Sequence, residues 1–214
     1  MSLPELIAHL REKGYLKSLA VTKAFERAPR QEFVPREFRP LACLDVPIPI
    51  GEVYMSAPHV TARMVEHLQV RCGMRVLEVG TGTGYMTALL CELAGQGNVI
   101  SIERDPKLAK LARRNLKRTG YEVEVVVEDG SCGLPERAPW QRIVVAAGVP
   151  AVPRPLREQL ADGGLMVIPI GGQLMQMLCK IERRGVDFSK TDIAPCRFTL
   201  LIGKHAWSEK AIKR

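Results

Sequence analysis

Three glycines alternate in Gly80-Thr81-Gly82-Thr83-Gly84, between the hydrophobic run Val76-Leu77-Glu78-Val79 and an apolar stretch that opens at Tyr85. A strand that enters a helix through glycines makes a tight turn, and a ligand can approach its backbone with no Cβ in the way. The spacing is neither the G-x-G-x-x-G of a dinucleotide site nor the Lys-Ser/Thr ending of a phosphate-binding loop. The next apolar run, Val99-Ile100-Ser101-Ile102, ends on Glu103, and the one after it leads to Asp129-Gly130. In a doubly wound sheet the carboxyl ends of adjacent strands border one crevice. There, Glu103 would accept both hydroxyls of a ribose and Asp129 would meet the amino group of an adenine. Glu78 would orient an ammonium group through backbone or water contacts. Each feature also has a plainer reading: a packing turn, a solvated strand end, an Asp-Gly turn and a structural carboxylate.

A nucleoside bound without a pyrophosphate cradle carries no phosphate. S-adenosylmethionine, adenosine joined to a sulfonium amino acid, meets that description. The elements that must position these residues follow from periodicity. Helices are expected at 3–13, 16–28, His59 to Leu68, Tyr85 to Ala94, Pro106 to Arg118 and Pro155–Leu160. Strands are expected at Arg75 to Val79, Val99 to Ile102, Val123 to Val127, Ile143 to Ala146 and Leu165–Ile168. This alternation indicates a mostly parallel sheet covered on both faces. Leu174–Glu182 and Arg197–Ile202 read as further strands that would close one edge as an antiparallel pair. Arg30 to Pro58 is broken by prolines at 35, 40, 47, 49 and 58 and by Gly51, so a surface arm or lid is expected there instead of a regular helix.

The composition is that of an ordinary soluble protein: 214 residues, 46% hydrophobic, 25% charged, net charge +8. The six cysteines form no CxxC pair and read as reduced core residues, and the histidines are too dispersed for a metal site, so no metal is expected. With no signal-peptide run and no apolar stretch near membrane-spanning length, a cytoplasmic protein without membrane association is expected. The basic residues from Arg104 to Arg118 fall at spacings that cover the outer face of a helix, a solvated surface or a binding patch. Aromatic residues are only 5% of the chain. No stacking platform accompanies the basic patch, so nucleic acid is a minor alternative as a partner.

Beyond these readings, the chain resembles the protein-L-isoaspartate O-methyltransferase family. The resemblance rests on Val76–Tyr85, Ser101-Ile102-Glu103-Arg104 and Asp129-Gly130. It also rests on Pro29-Arg30-Gln31-Glu32-Phe33-Val34-Pro35, Ala42-Cys43-Leu44-Asp45, Pro49-Ile50-Gly51, Ser56-Ala57-Pro58 and Arg197-Phe198-Thr199-Leu200-Leu201-Ile202-Gly203. It implies a Rossmann-like methyltransferase fold, a three-layer α/β sandwich with a mostly parallel seven-stranded sheet and an N-terminal helical and loop arm. The implied organisation is an arm over 1–58, a cofactor-binding core over 59–203 and a basic tail over 204–214. The implied reaction is methylation, by S-adenosylmethionine, of the free carboxylate of L-isoaspartyl residues in damaged proteins or peptides, with S-adenosylhomocysteine as product. A monomer is expected.

On this reading Glu78, Gly80, Thr81, Gly82, Thr83, Gly84, Tyr85, Glu103, Arg104, Asp129 and Gly130 hold the cofactor. Val53, Tyr54, Met55, Ser56, Ala57 and His59 line the acceptor side. Attack by an already ionised oxygen needs orientation more than acid–base machinery. Ser56 is therefore the catalytic candidate as a hydrogen-bond donor to the acceptor, or else an ordinary turn or capping serine; His59 is a contact residue or a helix-surface histidine. Val53, Tyr54, Ala57 and Gly148-Val149 replace residues usual in the family. They motivate one alternative, a changed acceptor such as a small molecule, modified peptide or RNA. A non-catalytic interaction protein on the same sheet is the third reading.

Overall fold

A strand covered on both faces is built from a continuous apolar run and not from alternating residues. In the computed structural model, which describes residues 1–212, Val76–Val79 is such a strand apart from Glu78, and every residue of it is buried. Two short strands of the arm, β1 (Ile48–Ile50) and β2 (Val53–Met55), pair as an antiparallel hairpin of their own. The main sheet contains β3 (Val76–Val79), β4 (Val99–Glu103), β5 (Glu124–Val127), β6 (Trp140–Val145), β7 (Leu160–Gly171), β8 (Gln176–Arg184) and β9 (Asp187–Cys196). Its order is β5-β4-β3-β6-β7-β8-β9, parallel from β5 to β7 and antiparallel across β8 and β9. The chain leaves β3 toward β4 on one side and later returns to β6 on the other. A crevice therefore opens at the carboxyl end of β3, where connections diverge to opposite sides.

Successive strand residues point to opposite faces. Val76, Val99, Val144 and Val167 share one cluster with Leu6, Phe25, Met64, Leu89 and Leu116. These come from α1 (Leu3–Glu12), α2 (Leu19–Arg27), α3 (Pro58–Leu68), α4 (Tyr85–Ala94) and α5 (Pro106–Arg118). Leu77, Val145, Met166 and Ile168 face the other way, onto Leu134, Leu201 and Leu156 of α6 (Arg154–Glu158). That second layer is thin: between β5 and β6 the chain makes only two short 3-10 turns. Ser2 closes α1 with a capping box to Glu5, and Ser18 caps α2. In α5 the basic residues lie outward while Ala109, Ala112, Asn115 and Leu116 are buried. Arg118 reaches across to Glu32, so part of this charged face holds the arm down.

Two edge expectations are corrected. Arg197–Ile202 is not a strand of the sheet; the edge is β9, which pairs with β8 from Arg184↔Asp187 to Gln176↔Cys196. β9 is polar and largely exposed, as a solvated edge is, and so it carries no apolar signal in the sequence. Residues 197–202 are apolar for another reason. They run past the end of the sheet, where Gly148 N–H donates to Thr199 O at 2.9 Å and Leu201 N–H donates to Gly148 O at 2.8 Å. Gln176 fixes them by accepting from Phe198 N–H at 2.8 Å. A Cβ at Gly148 would stand 3.0 Å from the Gln176 side chain, a tight contact that would make that side chain shift. Leu174 and Met175 belong to the exposed turn before β8 and not to the strand. All six cysteines are unpaired, with Cys91 and Cys179 buried but Cys72 exposed. Lys213 and Arg214 of the basic tail lie outside the described residues.

Candidate functional site

The glycine loop occupies the crevice at the end of β3. Gly80, Gly82 and Gly84 have φ of 95°, 55° and 89°, a region side chains disfavour, so glycine is demanded by the backbone itself. The loop hangs from the neighbouring strand: Gly80 N–H donates to Ile102 O at 2.8 Å and Gly82 N–H to the Glu103 carboxylate at 2.9 Å. Asn115 supports it from α5 by donating to Thr83 O at 3.0 Å. Gly84 is the N-cap of α4 and supplies no side-chain cap, so no capping side chain satisfies the first N–H groups of this helix. Tyr85 turns its ring into the core, against Phe25 at 6.2 Å and Phe33 at 5.7 Å, and only its backbone belongs to the loop.

The carboxylates of the crevice differ sharply. Glu103 is 9% exposed, and its oxygens accept from the N–H groups of Gly82 and Asp105. It is a carboxyl group held by backbone donors at a strand end, suited to vicinal hydroxyls. Glu78 is fully buried, and burial pushes its carboxyl up to about 8. Hydrogen bonds from Thr87 and Ser101 pull down, while the charge of Glu103 pushes further up. Its Oε1 has no hydrogen-bond partner among the described residues. At neutral pH it is mostly a protonated acid, which narrows its use as a counter-ion. For Asp129, burial pushes up, but hydrogen bonds from Lys204 N–H and from Ser131 outweigh it and hold the group below the usual range. Gly130 lies so close to Val79 that a Cβ would overlap it. Arg104, exposed, pairs with Glu209. A cavity of about 260 Å³ lies between Arg104, Asp129, Gly203 and Trp207, walled by the C-terminal segment that Asp129 anchors.

In the arm segment expected to line the acceptor, Gly51 (φ 64°) turns the hairpin, Tyr54 stands out from it, and Met55 and Ala57 are buried. Ser56 is half-buried and does not cap α3; the N-cap is Ala57, and no side chain caps it. The Ser56 hydroxyl has no protein partner among the described residues, while its carbonyl accepts from Arg30 at 3.0 Å. His59 is bound at both its N–H and its Nδ1 by Asp45 Oδ1, each at 2.9 Å, and its ring leans on Tyr15. Arg30 and Asp45 did not stand out in the sequence as site residues. The one trace was their place in the arm motifs, and nothing local signals that Arg30 is buried.

Known proteins match this chain along nearly its whole length. The sequence model of the Protein-L-isoaspartate(D-aspartate) O-methyltransferase (PCMT) family matches residues 1–206. A protein-L-isoaspartate O-methyltransferase of Hyperthermus butylicus is 44% identical over 95% of this chain and 90% of its own. A solved protein-L-isoaspartate O-methyltransferase superposes with a TM-score of 0.83 at 31% identity, covering 96% of this chain and 67% of that one. A Plasmodium falciparum structure, described as a β-aspartate methyltransferase in complex with S-adenosyl-L-homocysteine, shares the fold with a TM-score of 0.82 at 23% identity. The match covers 92% of this chain and 97% of that one.

Proposed function

This chain belongs to the protein-L-isoaspartate(D-aspartate) O-methyltransferase family, and we propose that it methylates the free carboxylate of L-isoaspartyl residues in damaged proteins or peptides. The observation that carries this reading is the family match, which runs from residue 1 through the arm as well as the core and so takes in Ser56. S-adenosylmethionine, when bound, supplies an electrophilic methyl group to the acceptor oxygen. The residues present fit it. The Gly80–Gly84 backbone offers close approach, the uncapped start of α4 offers N–H groups, and Glu103 offers a buried carboxylate for the ribose. Asp129 is committed to its own loop and to the C-terminal segment, so it shapes the adenine end mainly by holding that wall.

The acceptor carboxylate is already ionised at neutral pH and needs no general base. Ser56 donates a hydrogen bond to it and orients it, and closure by the arm keeps water from the reacting oxygen. No Ser-His activation is required, because the serine is a donor here and not a nucleophile. Asp45 holds His59 at one fixed ring nitrogen beside this loop. The protein works as a monomer in this reading, which sedimentation velocity checks. The deciding experiment is transfer of labelled methyl to an L-isoaspartyl peptide and to its aspartyl isomer. Selective labelling of the first is expected; equal, negligible labelling of both, with cofactor bound, transfers the search to another acceptor.

A further inference from the structure

Arg30 opens the 3-10 turn Arg30–Glu32 and is 1% exposed. Every hydrogen bond of its guanidinium goes to a main-chain oxygen. Nη1 donates to Ala42 O at 3.0 Å and, more weakly, to Leu44 O at 3.5 Å; Nη2 donates to Val46 O at 3.1 Å and to Ser56 O at 3.0 Å. None of the ion pairs among the described residues includes it. A buried cation without a carboxylate partner is unfavourable unless several fixed acceptors compensate it. These four serve the two terminal nitrogens, while Nε has no hydrogen-bond partner among the described residues, and the positions of the four in the chain are informative. Leu44 and Val46 flank Asp45, whose Oδ1 fixes His59, and the fourth carbonyl is that of Ser56 itself. One planar fork thus spans three arm segments that meet at the acceptor side. Lysine, with a compact ammonium on a flexible stem, does not reproduce this geometry.

Resting on the functional reading above, we propose that Arg30 is the positioning residue of the acceptor site: its guanidinium sets the register of Ser56 against the Asp45–His59 pair. All four of its hydrogen bonds stay within the arm, and its one electrostatic neighbour near the glycine loop is the Tyr85 side chain, which points into the core and not into the crevice.

The test compares wild type, Arg30→Lys, Ser56→Ala and the double variant on an L-isoaspartyl peptide, with S-adenosylmethionine affinity followed by calorimetry. Arg30→Lys is expected to keep cofactor affinity within about twofold and to lower kcat on the order of ten- to a hundredfold, the loss typical of a misplaced reacting group. In the Ser56→Ala background the same change should cost little more, because both act on one interaction. Wild-type kcat in Arg30→Lys, or losses that multiply in the double variant, overturns the proposal. Arg30→Gln, which leaves no buried charge, carries the same expectations if the lysine variant does not fold. A wild type that leaves the peptide unlabelled overturns the functional reading and this one with it; an active wild type beside an equally active Arg30→Lys overturns this one alone.

Discussion

Glu78→Gln should make the stability of the protein less dependent on pH. In the unfolded chain a glutamate ionises near 4.5; in the folded protein burial holds Glu78 protonated up to about 8. Between those values the folded state binds the proton that the unfolded state has lost, so stability falls as pH rises. Stability is complete below 4.5 and is lost progressively through about 8. The whole interval corresponds to about 5 kcal/mol, at about 1.4 kcal/mol for each tenfold change in proton affinity. Glutamine retains the shape and an acceptor for Thr87 but cannot ionise, so the variant lacks this slope. Its amide N–H₂ occupies the place of an oxygen and adds an offset, but that offset does not vary with pH. Urea unfolding of both proteins at several pH values from 4.5 to 9 measures the difference directly. The gap should move in favour of the variant by a few kcal/mol across the series. Parallel curves would show that Glu78 ionises normally and would refute the argument from burial.

Glu103→Ala removes the carboxylate proposed for the ribose and should weaken S-adenosylmethionine binding by about 1.5–3 kcal/mol, roughly ten- to a hundredfold in Kd; calorimetry giving an unchanged Kd would displace the ribose from this strand end. Gly203→Ala places a Cβ onto Asp129 Oδ1 and Ser131 Oγ, which must move. Overpacking of this kind costs about 1–3 kcal/mol. For a chain of this size each kcal/mol lowers Tm by about 2–4 °C, so a melt at the wild-type Tm would show that the C-terminal wall is loosely held.

Much of the core was legible because its demands are local. Three alternating glycines announce a backbone in left-handed conformations, and β3, α4, β4 and α5 lie within a residue of their periodic signals. Buried parallel strands and amphipathic helices must carry their apolar residues in set patterns wherever the chain ends up. Edges obey no such rule. β9 is polar because one side of it meets only solvent, and the apolar stretch at 197–202 serves the end of the sheet. The sequence by itself therefore determined the crevice, its glycine cradle and the carboxylate at the end of β4. Tertiary structure alone decided that Tyr85 belongs to the core, that Glu78 holds its proton and that Asp129 anchors a neighbouring segment. It also decided that Arg30 clamps the arm carbonyls of residues 42, 44, 46 and 56. Ionisation and hydrogen-bond partners are set by what distant segments bring near and by the water they exclude, and no pattern of neighbours along the chain encodes that.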